Sequence, residues 1–197
     1  GFYYMKITEL CGFDWLKGEE WKVMGLAPYG QLNEEFYALL KSTITLEGFH
    51  CSHRGAELFK GVDRLQDFKR GIDEPIESAA DLAFTGQFFF QELMTGLLEH
   101  LHQVTGLENL TLAGGCGLNS AFNGYITQKT GFKSVHIPSA PADDGTALGA
   151  ALLSFRQQNP AVMRAPVVSP YLGSVITDQA VEHFKQFNQA FTIEHLP

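Results

Sequence analysis

The chain has 197 residues, 45% apolar and 18% charged, an ordinary mix for one globular domain or slightly more. Twenty-two Asp and Glu against 14 Lys and Arg leave a net charge of -8, which disfavours a surface that grips nucleic acid by releasing counterions but leaves room for a nucleotide held by backbone amides in a cleft. No apolar run reaches the ~18 residues that cross a bilayer, no signal-peptide pattern is visible, and three scattered cysteines (Cys11, Cys51, Cys116) with no CxxC pair read as free thiols of a reducing cytoplasm.

The opening Gly1-Phe2-Tyr3-Tyr4, without an initiator Met, reads as part of a longer protein. Phe2 to Gly12 predicts a short helix ended by a glycine turn. Gly18 to Leu26 predicts another, broken by Pro28-Tyr29-Gly30. Asn33 to Leu40 is a third. Thr43 to His50 reads as a strand or hairpin arm, and 51–75 as irregular with short helices. Ser78 to Gln103 carries the longest helical period, with Leu82, Phe88, Phe89, Leu93, Leu97, Leu98 and Leu101 on one stripe and Ser78 as candidate cap. The default for that stripe is buried core.

The pattern then changes. Leu110–Ala113 is a short apolar strand, 114–117 a glycine turn, and Leu118–Gln128 a helix. Ser134–Ile137 is a second strand, 138–145 a loop, and Thr146–Arg156 a helix of small residues. Strand, helix, strand, helix is the layout of a layered α/β domain. The proline-bearing stretch 159–175 reads as a linker.

Three segments carry possible chemistry. In Leu112-Ala113-Gly114-Gly115-Cys116-Gly117-Leu118-Asn119, glycines at a strand end let the backbone turn with positive φ and let a ligand approach closely. A helix start behind them would offer unpaired amides. The spacing is neither GxGxxG nor a P-loop, and a tight turn with no ligand fits it equally. In Pro138 to Ala151, Asp143-Asp144 opens the small-residue helix. Either carboxylate can be a cap or a metal ligand facing a cleft. Glu19 to Gly30 alone reads as a helix with its stop signal. The histidine pairs His50/His53 and His100/His102 do not have the spacing of a metal pair.

Together the three segments resemble the nodulation-factor and antibiotic O-carbamoyltransferases. Lys22-Val23-Met24-Gly25-Leu26-Ala27-Pro28-Tyr29-Gly30 resembles that family's KVMGLAPYG signature. Gly114–Asn119 resembles its GGVALN loop, with Cys116-Gly117 in place of Val-Ala, and Asp143–Ala151 its DxGTALGAA helix start. Ser169–Gly173 resembles the junction out of the domain. The resemblance implies a ribonuclease-H-like, actin-like ATPase fold (sugar kinase–Hsp70–actin), of which 1–172 is the second half. It makes 173–197 the start of a linker to a C-terminal adenylate-forming domain. It further implies ATP or carbamoyl-adenylate, made from carbamoyl phosphate and ATP, as the bound nucleotide, and a small-molecule hydroxyl as acceptor. Fe(2+) would be bound in the full-length enzyme by an HxxxH pair from the first half, outside this sequence, and by Asp143. Gly114, Gly115, Asn119 and Gly145 would line the nucleotide, with Glu20 and Lys22 toward its base or ribose. No nucleic acid or membrane partner is expected, and the piece by itself is expected to be inactive. The tRNA threonylcarbamoyl transferase is a related alternative, and a catalytically empty nucleotide-binding module is another.

Overall fold

A computed structural model describes residues 1–53, 64–161, Gly173 and 176–187. The chain divides into two compact units, Gly1–Leu153 and Ser154–Pro197. The first is a helix-rich α/β unit. Its elements are α1 (Phe2–Leu10), α2 (Glu20–Leu26), α3 (Glu34–Thr43), β1 (Ile44–Glu47), β2 (His50–His53), α4 (Ala80–Thr105), β3 (Asn109–Thr111), α5 (Ser120–Asn123), α6 (Ile126–Lys129) and β4 (Ser134–His136). Helix α7 (Gly145–Gln158) begins in it, and α8 (Asp178–Phe187) lies in the second unit.

Helix α4 organises the first unit. Its 26 residues span about 39 Å, long enough to serve α1, α2 and α3 along one rod. Leu82, Phe89, Phe90 and Leu98 are buried on it, and Gly86 leaves room for Ile7 of α1. Edge-to-face ring pairs stitch the layers: Tyr3 to Phe89 at 5.6 Å, Tyr4 to Phe90 at 5.3 Å, and Phe90 to Phe122 of α5 at 5.9 Å. The aromatic-rich core thus reaches the segment behind the glycine turn.

Local chemistry sets the helix ends. The Asn33 side chain accepts the Phe36 amide, and Glu34 and Glu35 sit in the first turn of α3, where the dipole favours acids. Phe36, Leu39, Leu40 and Thr43 then fall on one buried face. Helix α4 stops at Gly106, which takes the left-handed conformation. Arg70, from the irregular stretch after residue 63, covers the end of α1. Its amide donates to the Leu10 carbonyl and its Nε to that of Cys11, both at 2.9 Å.

Strands β1 and β2 form an antiparallel hairpin with Leu46 opposite Cys51. Strands β3 and β4 are parallel, with Leu110 opposite Val135, and the Leu112 amide extends the ladder to the His136 carbonyl.

Several expectations need correction. Ser78 does not cap α4; its hydroxyl donates to the Pro75 carbonyl inside a 3-10 turn, Ile76–Ala79, that leads into the helix. The expected helix 118–128 is two four-residue helices, α5 and α6, separated at Gly124. Thr43 ends α3 rather than starting a strand, because its hydroxyl bonds back to the Leu40 carbonyl. Residues 162–172 and 174–175, which hold most of the expected linker, the Ser169–Leu172 part of the junction and the 172/173 boundary, lie outside the described residues, as do 54–63.

Candidate functional site

Strands β3 and β4 run parallel and end side by side, so the loops that follow them, 112–119 and 137–145, leave from the same edge. In open α/β sheets this carboxyl edge is where ligands lie. The two loops are tied together. The Gly114 amide donates to the Pro141 carbonyl at 2.6 Å, and a Cβ on Gly117 would press on the Pro141 ring at 3.1 Å.

Gly114 has φ 102° and ψ 169°, a region essentially closed to any residue with a side chain. Above Gly114 and Gly115 the space is open: a Cβ on either would meet nothing within 4 Å. The amides of Gly115 and Cys116, at the start of a 3-10 turn, donate to no acceptor among the described residues. The turn thus holds two amides without a protein acceptor among the described residues, beside open space at Gly114 and Gly115. The helix after it, however, is only four residues long, so the expected help from a helix dipole is not there.

Gly145 is fixed by a close approach. A Cβ there would run into the carbonyl of Ala140. Asp143 and Asp144, just before it, are both exposed, and neither carboxylate accepts a hydrogen bond among the described residues. At this helix start the Thr146 hydroxyl donates back to the Asp143 carbonyl at 2.6 Å. No group of three His, Cys, Asp or Glu converges among the described residues, so Asp143 by itself does not make a metal site.

Asn119 is 6% exposed and faces inward. Its Oδ1 accepts the Phe122 amide at 2.9 Å and Gln87 Nε2 at 3.0 Å, while its Nδ2 donates to Gln87 Oε1 at 3.0 Å. It caps α5 and secures the turn from behind. Its side chain is committed to the protein and does not line the open face.

Glu20 is half-buried in the first turn of α2. Burial holds the Tyr4 hydroxyl well above the ordinary tyrosine range; the Asn119 amide pulls against this, and the charges of Cys11 and Glu20 add to the rise. Glu20 is thus within electrostatic reach of the residues behind the turn. Lys22 is engaged elsewhere. It pairs with Glu19 at 2.7 Å and lies 5.6 Å from the Phe13 ring centre.

An apolar cavity of about 570 Å³ lies between α1, α3, the β1–β2 hairpin and α4. Phe90, Met94 and Leu97 line it, and Cys116 of the glycine turn forms part of its wall.

A family model described as "Carbamoyltransferase N-terminus" matches residues 1–152, which hold every one of these residues. This chain belongs to the carbamoyltransferase family. It is similar to the uncharacterized protein sll1178 of Synechocystis, at 30% identity over 93% of this chain and 32% of that protein. It is also similar to the nodulation protein NolNO of Sinorhizobium fredii, at 29% over 92% and 27%, and to the nodulation protein NolO of Bradyrhizobium diazoefficiens, at 29% over 92% and 33%. The chain therefore spans about a third of the length of these relatives. No helix among the described residues is long and apolar enough to cross a membrane.

Two residues of this carbamoyltransferase segment escape a reading by motif: Gln87 and Tyr4. The available signal was a polar residue inside the apolar run Phe84 to Phe90 of a buried stripe, which needs a partner once buried.

Proposed function

We propose that the whole protein is an ATP-dependent O-carbamoyltransferase, and that this chain supplies the part of its actin-like domain that faces the nucleotide. Membership of the family supports the reaction class. The joined Gly114–Gly117 and Pro138–Gly145 loops at the carboxyl edge of the parallel strands support the place.

Carbamoyl-adenylate supplies an activated carbonyl carbon. The acceptor hydroxyl oxygen bonds to that carbon, the bond from the carbon to the phosphate oxygen breaks, and the hydroxyl proton leaves as AMP departs. In this reading the chain's task is to hold and orient. The amides of Gly115 and Cys116 take a phosphate or carbonyl oxygen, as unpaired turn amides suit. Gly145 and its neighbours form the opposite wall, and Glu20 lies on the base or ribose side. Asn119 keeps the turn in shape. Asp143 is a candidate for one ligand of a metal whose other ligands come from elsewhere in the longer protein, and no step is derived through that metal. The acceptor is a sugar or natural-product hydroxyl, in line with the nodulation proteins among the relatives.

Calorimetric titration of the full-length protein with ATP tests the reading. Gly115→Val places a branched side chain over the free amides while the turn itself stays buildable. Binding should be lost with the melting temperature little changed. Unchanged affinity in Gly115→Val would remove the glycine turn from the nucleotide site.

A further inference from the structure

The back of the glycine turn is held by a polar cluster whose orientation is forced. The Phe122 backbone amide can only donate, so the Asn119 atom facing it is the oxygen. The other Asn119 atom is then Nδ2, and the Gln87 atom it meets at 3.0 Å must be Oε1. Gln87 Nε2 in turn donates to Asn119 Oδ1 at 3.0 Å, closing a reciprocal amide pair. The Tyr4 hydroxyl, 2.6 Å from the same Gln87 Oε1, must be a donor. Every one of these atoms has a single allowed role, and both amides are nearly sealed from solvent, at 5% and 6% exposure.

A second hold lies nearby. Asn123 Nδ2 donates to the Gly117 carbonyl at 2.7 Å, while its Oδ1 is buried with no partner among the described residues. The turn is thus gripped at Gly117 and Asn119 by side chains and at Gly114 by Pro141, while the Gly115 and Cys116 amides have no acceptor among the described residues. Glycine turns have many alternative conformations. A directional polar cluster on rigid helices α1 and α4 selects one of them.

We propose that Gln87, oriented by Tyr4, is the positioning residue that sets the glycine turn for a nucleotide phosphate. This rests on the reading of that turn as nucleotide-facing. Neither residue touches the open face. Their influence passes through Asn119 to the two free amides.

The test uses the full-length protein, with magnesium ATP as probe, and compares wild type, Gly115→Val, Gln87→Leu and Tyr4→Phe. Gln87→Leu should weaken ATP by about tenfold and Tyr4→Phe by about threefold, the scale of losing one or two directing hydrogen bonds. At saturating ATP, the phosphorus resonances of the nucleotide bound to Tyr4→Phe should move from their wild-type positions. A merely structural role would leave them in place. Wild-type affinity and resonances in both variants, with Gly115→Val still defective, would overturn the positioning role and leave the nucleotide site standing. Wild-type affinity in Gly115→Val would overturn both. If Gln87→Leu does not fold, Tyr4→Phe decides alone, because it removes one hydroxyl and leaves the amide pair intact.

Discussion

Asn119 was legible as a special residue but not in its role. A glycine loop followed by Asn suggests a side chain offered to a ligand, whereas burial makes the opposite demand: an enclosed amide must spend its donors and acceptor inside. Replacing Asn119 by Ala removes the cap of α5, worth about 1 kcal/mol, and strands the buried Gln87 donor, worth about 1–3 kcal/mol. Urea unfolding should register a loss of about 3 kcal/mol, and a loss under about 1 kcal/mol would mean that Gln87 finds another partner. Cys11 offers a second residue-scale check. Burial pushes its thiol from the usual 9.0 to about 12, against the opposing pull of Arg70. Between those values the unfolded chain has released the proton and the folded chain still holds it. The folded state thus binds more protons, and stability falls as pH rises. The urea midpoint should decline above about pH 9, and Cys11→Ala should flatten the decline.

Elements with a strong period were readable, and elements governed by side-chain bonding were not. The stripe from Leu82 to Leu101 named α4 because a long helix must repeat its buried positions. One arm of the hairpin followed from Thr45, Leu46 and Phe49, whereas the second strand, His50–His53, falls mostly in a stretch that reads as irregular. By contrast, Gly124 divides α5 from α6, Thr43 turns back on Leu40, and Ser78 bonds within its own turn, each a local choice that periodicity does not encode. The Lys22–Gly30 motif combines two kinds of glycine. Gly30 lies against the backbone of Ala80 at the start of α4, where a Cβ would strike the carbonyl. Gly25, inside α2, is exposed with nothing within 4 Å of a Cβ. Gly30→Ala should therefore destabilise by several kcal/mol or prevent folding, as backbone cannot give way as a flexible side chain can. Gly25→Ala should stabilise by up to about 1 kcal/mol, since Ala is the better helix former. Thermal melts of the two variants check the opposite signs. A destabilised Gly25→Ala would mean that this glycine serves the fold after all.

At the scale of the whole molecule, one helix leaves an apolar face uncovered among the described residues. Helix α7 follows the Asp143–Asp144 turn yet has no buried residue, leaving Leu148, Leu152, Leu153 and Phe155 exposed. The relatives are about three times longer than this chain. Metal binding turns on the number of donors a site can bring together. Asp143 is exposed and its carboxylate is bonded to nothing among the described residues, a state suited to a ligand awaiting a cation but also to a plain surface acid. Transition-metal sites need several donors at fixed geometry, and one carboxylate competes poorly with water for a divalent ion. The 197-residue chain purified alone should therefore carry far less than one equivalent of iron by elemental analysis. In the full-length protein, Asp143→Ala should abolish both iron retention and carbamoyl transfer. Asp144→Ala should lower transfer only mildly, because its carboxylate stands one residue further along a turn that cannot aim both side chains at one point. Iron content separates the two explanations of a dead Asp143→Ala enzyme: loss of metal supports ligation, whereas full iron with no transfer would assign Asp143 to the nucleotide or acceptor instead. Stoichiometric iron in the 197-residue chain would place the metal on residues other than these.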